Sequence, residues 1–392
     1  MGKFTQKGID SMEKKKVKIR VNSTRPESET VGQWMDLWLE NYVRPSIRQS
    51  TYEVYRAYLD NHLIPKLGEV PLGELSASDI QFFLRDLQYH GNKKSPEKGL
   101  SSSTIICIRN LLKSSLEQAV YEERIPRNPA RQTKPPKSDT KEMNVLTQDE
   151  VTRFLQNSTE NSCYAAYVLT LTTGVRRGEV LGLPWRSVFI GLPWHELDKR
   201  LPWQNVVKLP LWDTEALKRM LKRRHIQLRH DPFIMITQQL SDLRSGPELM
   251  PPKTKRSQRV IGIPIDTALI LIFQRCYQQK EKARIGGPYN RDQLVFCDSK
   301  GLPLHPRAFT RQFQKALKNS GIRKIRFHDL RHTVATMLLE DGKAINTVQE
   351  ILGHYNAAFT AAQYGHVTSR MQQEATETLG QVLRKARSSA EL

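Results

Sequence analysis

Residues 126–145, PRNPARQTKPPKSDTKEMNV, carry four prolines and several cations. Proline locks φ and lacks an N–H, so it suits neither a helix interior nor a central strand. The stretch reads as a linker and divides the 392-residue chain into two folded parts. At about 150 residues per domain, this length accommodates two or three.

Before the linker, the pattern from Val31 to residue 125 is helical. Trp34, Leu37 and Trp38 make one amphipathic segment, predicted to stop before Pro45. Ser50 is placed to cap a second helix carrying Tyr52, Tyr55, Tyr58 and Leu59. Ser76 with Asp79 predicts a capping box ahead of Ile80, Phe83, Leu84 and Leu87. A fourth helix follows Ser101, with Ile105, Ile108, Leu112, Leu116 and Val120 at helical spacing. Residues 1–30 are polar, with Lys14, Lys15, Lys16, Lys18 and Arg20, and read as a basic, disordered arm.

After the linker, Thr147 and Glu150 open a larger part, 146–392, that is mainly helical. Residues 233–238 and 258–264 are rich in β-branched side chains and flank a turn-like stretch, predicting a small antiparallel β-sheet. Leu183-Pro184-Trp185, Leu192-Pro193-Trp194 and Leu201-Pro202-Trp203 recur every nine residues. Three copies are too few for a solenoid, so about 187–230 reads as an insertion, open to three readings: a specialised loop, a disturbance of the β-sheet, or tryptophans that serve local packing.

Charge narrows the partners. The chain holds 61 Lys+Arg against 40 Asp+Glu, a net charge of +21. That excess repels itself unless a polyanion is near, and nucleic acid is the polyanion whose counterion release rewards it. No apolar run approaches the roughly 18 residues of a membrane span, and the basic N-terminus lacks the apolar region of a secretory signal. The four cysteines are scattered, with no CxxC pair, which fits a reducing compartment. A soluble, cytoplasmic chain without membrane contact is expected.

The second part contains a dispersed set of cations and imidazoles. These are Arg176 in TTGVRRGE, Lys255 in PPKTKRSQR, His328 and Arg331 in FHDLRHT, and His354 in ILGH, with Tyr364 in AAQYGH following. Each alone is weak, but phosphodiester chemistry unites them. Attack at phosphorus builds negative charge on non-bridging oxygens, and two guanidinium groups from separate segments can clamp it without metal. A phenol, with a pKa of about 10, needs cations and a base before it attacks. The leaving 5′ oxygen needs a proton, which a lysine can give. His328 and His332 are four apart, yet HDLRH lacks the acid of HExxH, so metal hydrolysis is disfavoured.

The order TGVRRGE, PKTK with a downstream basic residue and an apolar strand, HDLRHT, LGH, and a tyrosine ten residues beyond that His resembles the tyrosine recombinase (phage integrase) family. It looks most like integrases of bacterial phages and integrative conjugative elements. WLENYVRPSIRQSTYEVY, HLIPKLGEVPLGELSASDIQ and RIPRNPA resemble the SAM-like core-binding domain of those proteins. The resemblance implies a helical core-binding domain at 31–125 and a mixed α/β catalytic domain at 146–392, with a tail after residue 366.

It also implies roles. Arg176 and Arg331 bind the scissile phosphate, Lys255 (with Lys253 close by) is the general acid, His328 assists proton transfer, His354 hydrogen-bonds the phosphate, and Tyr364 forms a 3′-phosphotyrosyl link. Glu179 matches an acidic position that orients the site. The implied partners are double-stranded attachment-site DNA, a homo-tetramer working through a Holliday junction, and accessory excision or host DNA-bending factors. No cofactor is implied. Two departures stand out. Only about 30 residues precede the core-binding part, too few for a full arm-binding domain, and the Leu-Pro-Trp insertion lengthens the segment between Arg176 and Lys255. The alternatives are a type IB topoisomerase-like relaxing enzyme and a DNA-binding regulator without catalysis.

Overall fold

In the computed structural model, residues 29–353 are described, apart from 94, 96, 138–143, 211, 230, 253–256 and 288. The chain divides into two compact units, Met1–Thr140 and Lys141–Leu392.

The first unit is helical. Helix α1 (Val31–Trp38) starts at a Thr30–Gln33 capping box and buries Trp34, Met35 and Trp38. It does not stop cleanly before Pro45. It widens into one π-turn (Leu39–Val43) and then tightens into a short turn (Arg44–Ser46) that takes up the proline in its first residues. Proline's missing N–H is harmless there, because the first amides of a helical turn have no intrahelical acceptor. Helix α2 (Gln49–Tyr58) begins one residue before Ser50, behind Arg48, with no side-chain cap. A further wide turn leads to α3 (Ile64–Leu67). Helix α4 (Ala77–His90) carries the predicted Ser76–Asp79 capping box and buries Ile80, Phe83, Leu84 and Leu87. Helix α5 (Ser102–Tyr121) is capped by Ser101 and buries Ile105, Ile108, Leu112 and Leu116. The Trp34 indole N–H donates to the Ser115 carbonyl at 3.1 Å, so the largest core side chain is satisfied as well as buried. Residues 128–134 lie on this unit, where Arg109 donates to the Thr133 hydroxyl and to the Ala130 and Thr133 carbonyls.

The second unit surrounds one large apolar core. Helices α6 (Gln148–Gln156), α7 (Tyr164–Thr173) and α8 (Arg177–Leu181) open it. Phe154 and Tyr167 meet at 5.2 Å, and Phe309 and Phe313 of α13 (Pro306–Asn319) join them. Three strands form an antiparallel sheet in the order β1 (Val188–Phe189), β2 (Phe233–Ile236), β5 (Arg259–Gly262). The stretch between β2 and β5, read as turn-like from sequence, holds a second hairpin, β3 (Gln239–Leu243) and β4 (Gly246–Met250). Its apolar anchors are few, Leu240 and Leu243, and its turn uses Gly246 at φ 123. So sparse a pattern leaves little alternation to read.

Between β1 and β2 run α9 (Trp194–Arg200), α10 (Trp203–Val206) and α11 (Thr214–Arg223). Each Leu-Pro-Trp copy is a helix start. Pro184, Pro193 and Pro202 are the capping residues, and the tryptophan is the first helical residue. Trp185 and Trp194 meet edge-on at 4.8 Å. The Arg275 guanidinium from α12 (Ile265–Ile285) lies 5.2 and 5.1 Å from their ring centres and forks onto Asp198. The repeated motif therefore clips the insertion to the core. Helices α14 (Phe327–Glu340) and α15 (Ile345–Leu352) complete the described part. No helix among the described residues is long and apolar enough to cross a membrane.

Candidate active site

Helix α7 ends at Gly174, which takes the left-handed conformation at φ 64, and α8 begins three residues later. The chain reverses quickly because Gly meets no Cβ penalty there. Arg176 is the capping residue of α8 and Glu179 its third residue. The Glu179 carboxylate accepts from the Arg176 amide at 2.9 Å and from Arg176 Nη1 at 2.8 Å. Arg259, the first residue of β5, adds a fork, with Nη1 to Oε1 and Nη2 to Oε2 each at 3.0 Å. Burial alone would raise the Glu179 pKa, but the Arg259 hydrogen bonds and the charges of Arg259 and Arg176 outweigh it and hold the carboxyl below its ordinary value. Glu179 is thus an anion shared by two arginines.

Helix α14 repeats the device. Arg326 caps it, and Asp329, three residues on, accepts from the Arg326 amide at 2.7 Å and from its guanidinium. The first turns then carry His328, Arg331 and His332. Arg331 is only 1% exposed. Its Nη1 donates to the Gly174 carbonyl at 2.7 Å, and its Nη2 to the Leu352 carbonyl. His328 keeps an exposed face and stands 5.0 Å from the His332 ring, at right angles. Desolvation, followed by the charges of His332, Arg331, Arg176 and Arg326, lowers its pKa to about 4. The imidazole is neutral at pH 7, a proton acceptor rather than a cation.

The last carbonyls of α15 bring these elements together. Ile351 accepts from Arg259 Nε at 3.3 Å, Leu352 from Arg331, and Gly353 from Arg176 Nη2 at 3.3 Å. These are the orphan acceptors at the negative end of a helix dipole, so three guanidinium groups suit them. Gly353 is left-handed at φ 66, and a Cβ on it would stand 3.0 Å from Arg259 Cδ. Glycine in the LGH motif thus lets the helix end close against an arginine.

The structure brings Arg176 and Arg331 onto adjacent carbonyls and puts His328 in their field. Lys255, its neighbour Lys253, His354 and Tyr364 lie outside the described residues. The two arginines do not stand as equal open arms. The Arg176 side chain is 35% exposed, whereas Arg331 is buried. Sequence reasoning missed Arg259, which appears there only as a basic residue before an apolar strand. Its signal was indirect, since a buried acid at Glu179 needs a cation beyond its own neighbour.

Residues 144–371, more than half the chain, match the phage integrase family. The chain belongs to that family. Residues 30–88 match the family's N-terminal SAM-like domain. Among relatives of this integrase-family chain, a tyrosine recombinase XerC-like protein of Caldanaerobacter subterraneus is 26% identical over 360 residues, covering 89% of this chain and 82% of the relative. The ICEBs1 integrase of Bacillus subtilis is 26% identical over 310 residues, covering 78% and 73%. The Tn1549 transposon integrase in complex with a circular intermediate DNA shares the fold, with a TM-score of 0.63 at 21% identity, covering 88% of this chain and 100% of that one. A lambda integrase tetramer bound to a Holliday junction does so at 0.53 and 19% identity, covering 86% and 78%. The helical unit and the mixed α/β unit together are the fold of this family.

Proposed function

We propose that this family member, a site-specific recombinase that breaks and rejoins DNA, uses Tyr364 as its nucleophile and the arginine cluster at the end of α15 as its phosphate seat. The observation that carries the reading is the placement of Arg176 and Arg331 on the adjacent carbonyls of Gly353 and Leu352, immediately before His354 and eleven residues before Tyr364. A net-positive cluster of held guanidinium groups stabilises charge that develops on a phosphoryl group, without reorganising during the reaction.

In this reading the Tyr364 oxygen bonds to phosphorus and the bond from phosphorus to the 5′ oxygen breaks. Neutral His328 helps remove the phenolic proton, and Lys255 gives a proton to the departing 5′ oxygen. Arg176 is the exposed cation that meets the phosphate. Arg331 supplies charge and holds Gly174 and Leu352 in place, and His354 donates to a phosphate oxygen. The 3′-phosphotyrosyl link conserves the phosphodiester energy, so a second 5′ hydroxyl can rejoin the strand.

The substrates are double-stranded attachment sites of a mobile element, engaged by the core-binding unit (31–125) and the catalytic unit (146–392), with the 126–145 segment between them, its residues 128–134 resting on the core-binding unit, and the basic 1–30 arm ahead. A homo-tetramer exchanges one strand pair at a time through a Holliday junction, aided by accessory excision or host DNA-bending factors, on the bacterial nucleoid. Two observations support this assembly: the net charge of +21, and the fold shared with the lambda integrase that binds a Holliday junction as a tetramer.

A nicked suicide substrate tests it. The wild-type chain should form a covalent adduct that survives denaturation, with peptide mapping placing DNA on Tyr364. Tyr364→Phe should bind DNA and form none. Attachment at another residue, or an adduct from the Phe variant, would end the reading.

A further inference from the structure

Arg259 has no step of its own in the chemistry proposed for Tyr364, yet it is among the most heavily engaged cations in the catalytic unit. Its side chain is 8% exposed. It forks onto both oxygens of Glu179 at 3.0 Å, donates to the Ser257 carbonyl at 3.2 Å, and donates to the Ile351 carbonyl at 3.3 Å. One guanidinium therefore ties α8, the start of β5 and the end of α15 together. Pairing of β5 with β2 sets Arg259 opposite Ile236, at the start of the strand that follows Lys255.

Geometry decides what such a residue does. A cation this enclosed, with donors directed at four acceptor atoms, is poorly placed to reach a phosphate. Arg176 differs: it is 35% exposed by its side chain, and its Nη1 rests on the same Glu179 oxygen that Arg259 holds. The Glu179 carboxylate is thus fixed from one side by Arg259 and fixes Arg176 from the other. Lysine cannot replace the fork, because it offers a point charge without a planar pair of donors. Gly353 records the same constraint, since any Cβ there would crowd the Arg259 side chain.

We infer that Arg259 is a positioning residue for strand cleavage: by gripping Glu179 and the end of α15, it sets the direction of the Arg176 guanidinium and the turn that leads into His354. This rests on the recombinase reading of the site, and it assigns Arg259 a role through Glu179 rather than through DNA.

A double-mutant cycle on the full chain tests it, with Arg259→Gln, Glu179→Gln and both together. Cleavage of the suicide substrate is measured at saturating DNA, and affinity separately. Misplacing a catalytic group by about an ångström costs on the order of 100-fold in rate, so each single variant should cleave roughly that much more slowly. DNA affinity should move by less than about threefold, because phosphate contacts elsewhere dominate it. The double variant should cleave no more slowly than Glu179→Gln alone, because both changes break one linkage. Arg259→Lys should remain slow.

Multiplied defects in the double variant, wild-type rates from Arg259→Lys, or an affinity loss as large as the rate loss would each overturn the inference. The double variant replaces a buried charged pair by two amides that can bond each other, so it answers the question even if Arg259→Gln alone unfolds. The wild-type adduct is the control. Its absence defeats the recombinase reading, whereas its presence with multiplied defects defeats only the role of Arg259.

Discussion

Gly174 offers a quantitative test of how closely the site depends on packing. It is left-handed at φ 64, and its carbonyl accepts from Arg331 two residues before Arg176. A Cβ built on it would overlap the Leu352 side chain and stand 3.6 Å from Val334 Cγ1. Gly174→Ala therefore combines two penalties. The left-handed conformation costs roughly 1–2 kcal/mol for a residue with a Cβ. Overpacking a filled core adds about 1–3 kcal/mol. A total near 3 kcal/mol in a unit of this size corresponds to a melting shift on the order of 10 °C.

The steric share has one identifiable source, because Leu352 is fully buried and its carbonyl is also held by Arg331. Adding Leu352→Ala should return about 1–2 kcal/mol of the Gly174→Ala penalty, although Leu352→Ala alone is destabilising by about 2–5 kcal/mol. Thermal unfolding of the four chains, followed by circular dichroism, gives the coupling directly. Gly174→Ala should also slow strand cleavage at temperatures where it is folded, because Arg176 and Arg331 share the displaced backbone. A melting shift below about 1–2 °C, or strictly additive penalties, would show that the Gly174–Leu352 approach does not constrain this turn.

Two further outcomes follow from the geometry. In the DNA-free protein, the His328 ring should titrate near pH 4 by NMR, and a midpoint at or above 6.5 would contradict the crowding by protein and cations. Because the folded pKa is depressed, the unfolded chain binds more protons between about pH 4 and 6.5; the contribution of His328 to stability is complete above that window and falls as pH drops through it. Arg275→Ala should destabilise the catalytic unit by about 1–3 kcal/mol and change Trp185 and Trp194 fluorescence, since it removes a cation packed against both rings and leaves half-buried Asp198 without its fork. Unchanged fluorescence and stability would show that the insertion is not clipped to the core in this way.

The sequence by itself determined the character of this protein: basic, two-part and mostly helical, with cationic motifs of the kind phosphodiester chemistry uses, in an order that resembles the tyrosine recombinase family. Capping boxes at Ser76 and Thr147 were legible because both partners lie within one turn, and helical periodicity reports local conformation and the buried face together. The motif order identified Arg176, Lys255, His328, Arg331, His354 and Tyr364 as candidates without any contact being known. Only the tertiary structure showed that Arg331 is buried beneath carbonyls, that Leu-Pro-Trp begins helices, and that 239–250 forms a hairpin. It alone joined Arg259 to Glu179, 80 residues apart in sequence. The reason is that period and spacing describe what a segment does with its own neighbours. Which distant cation neutralises a buried acid depends on where the chain returns, and that is set by packing of the whole unit.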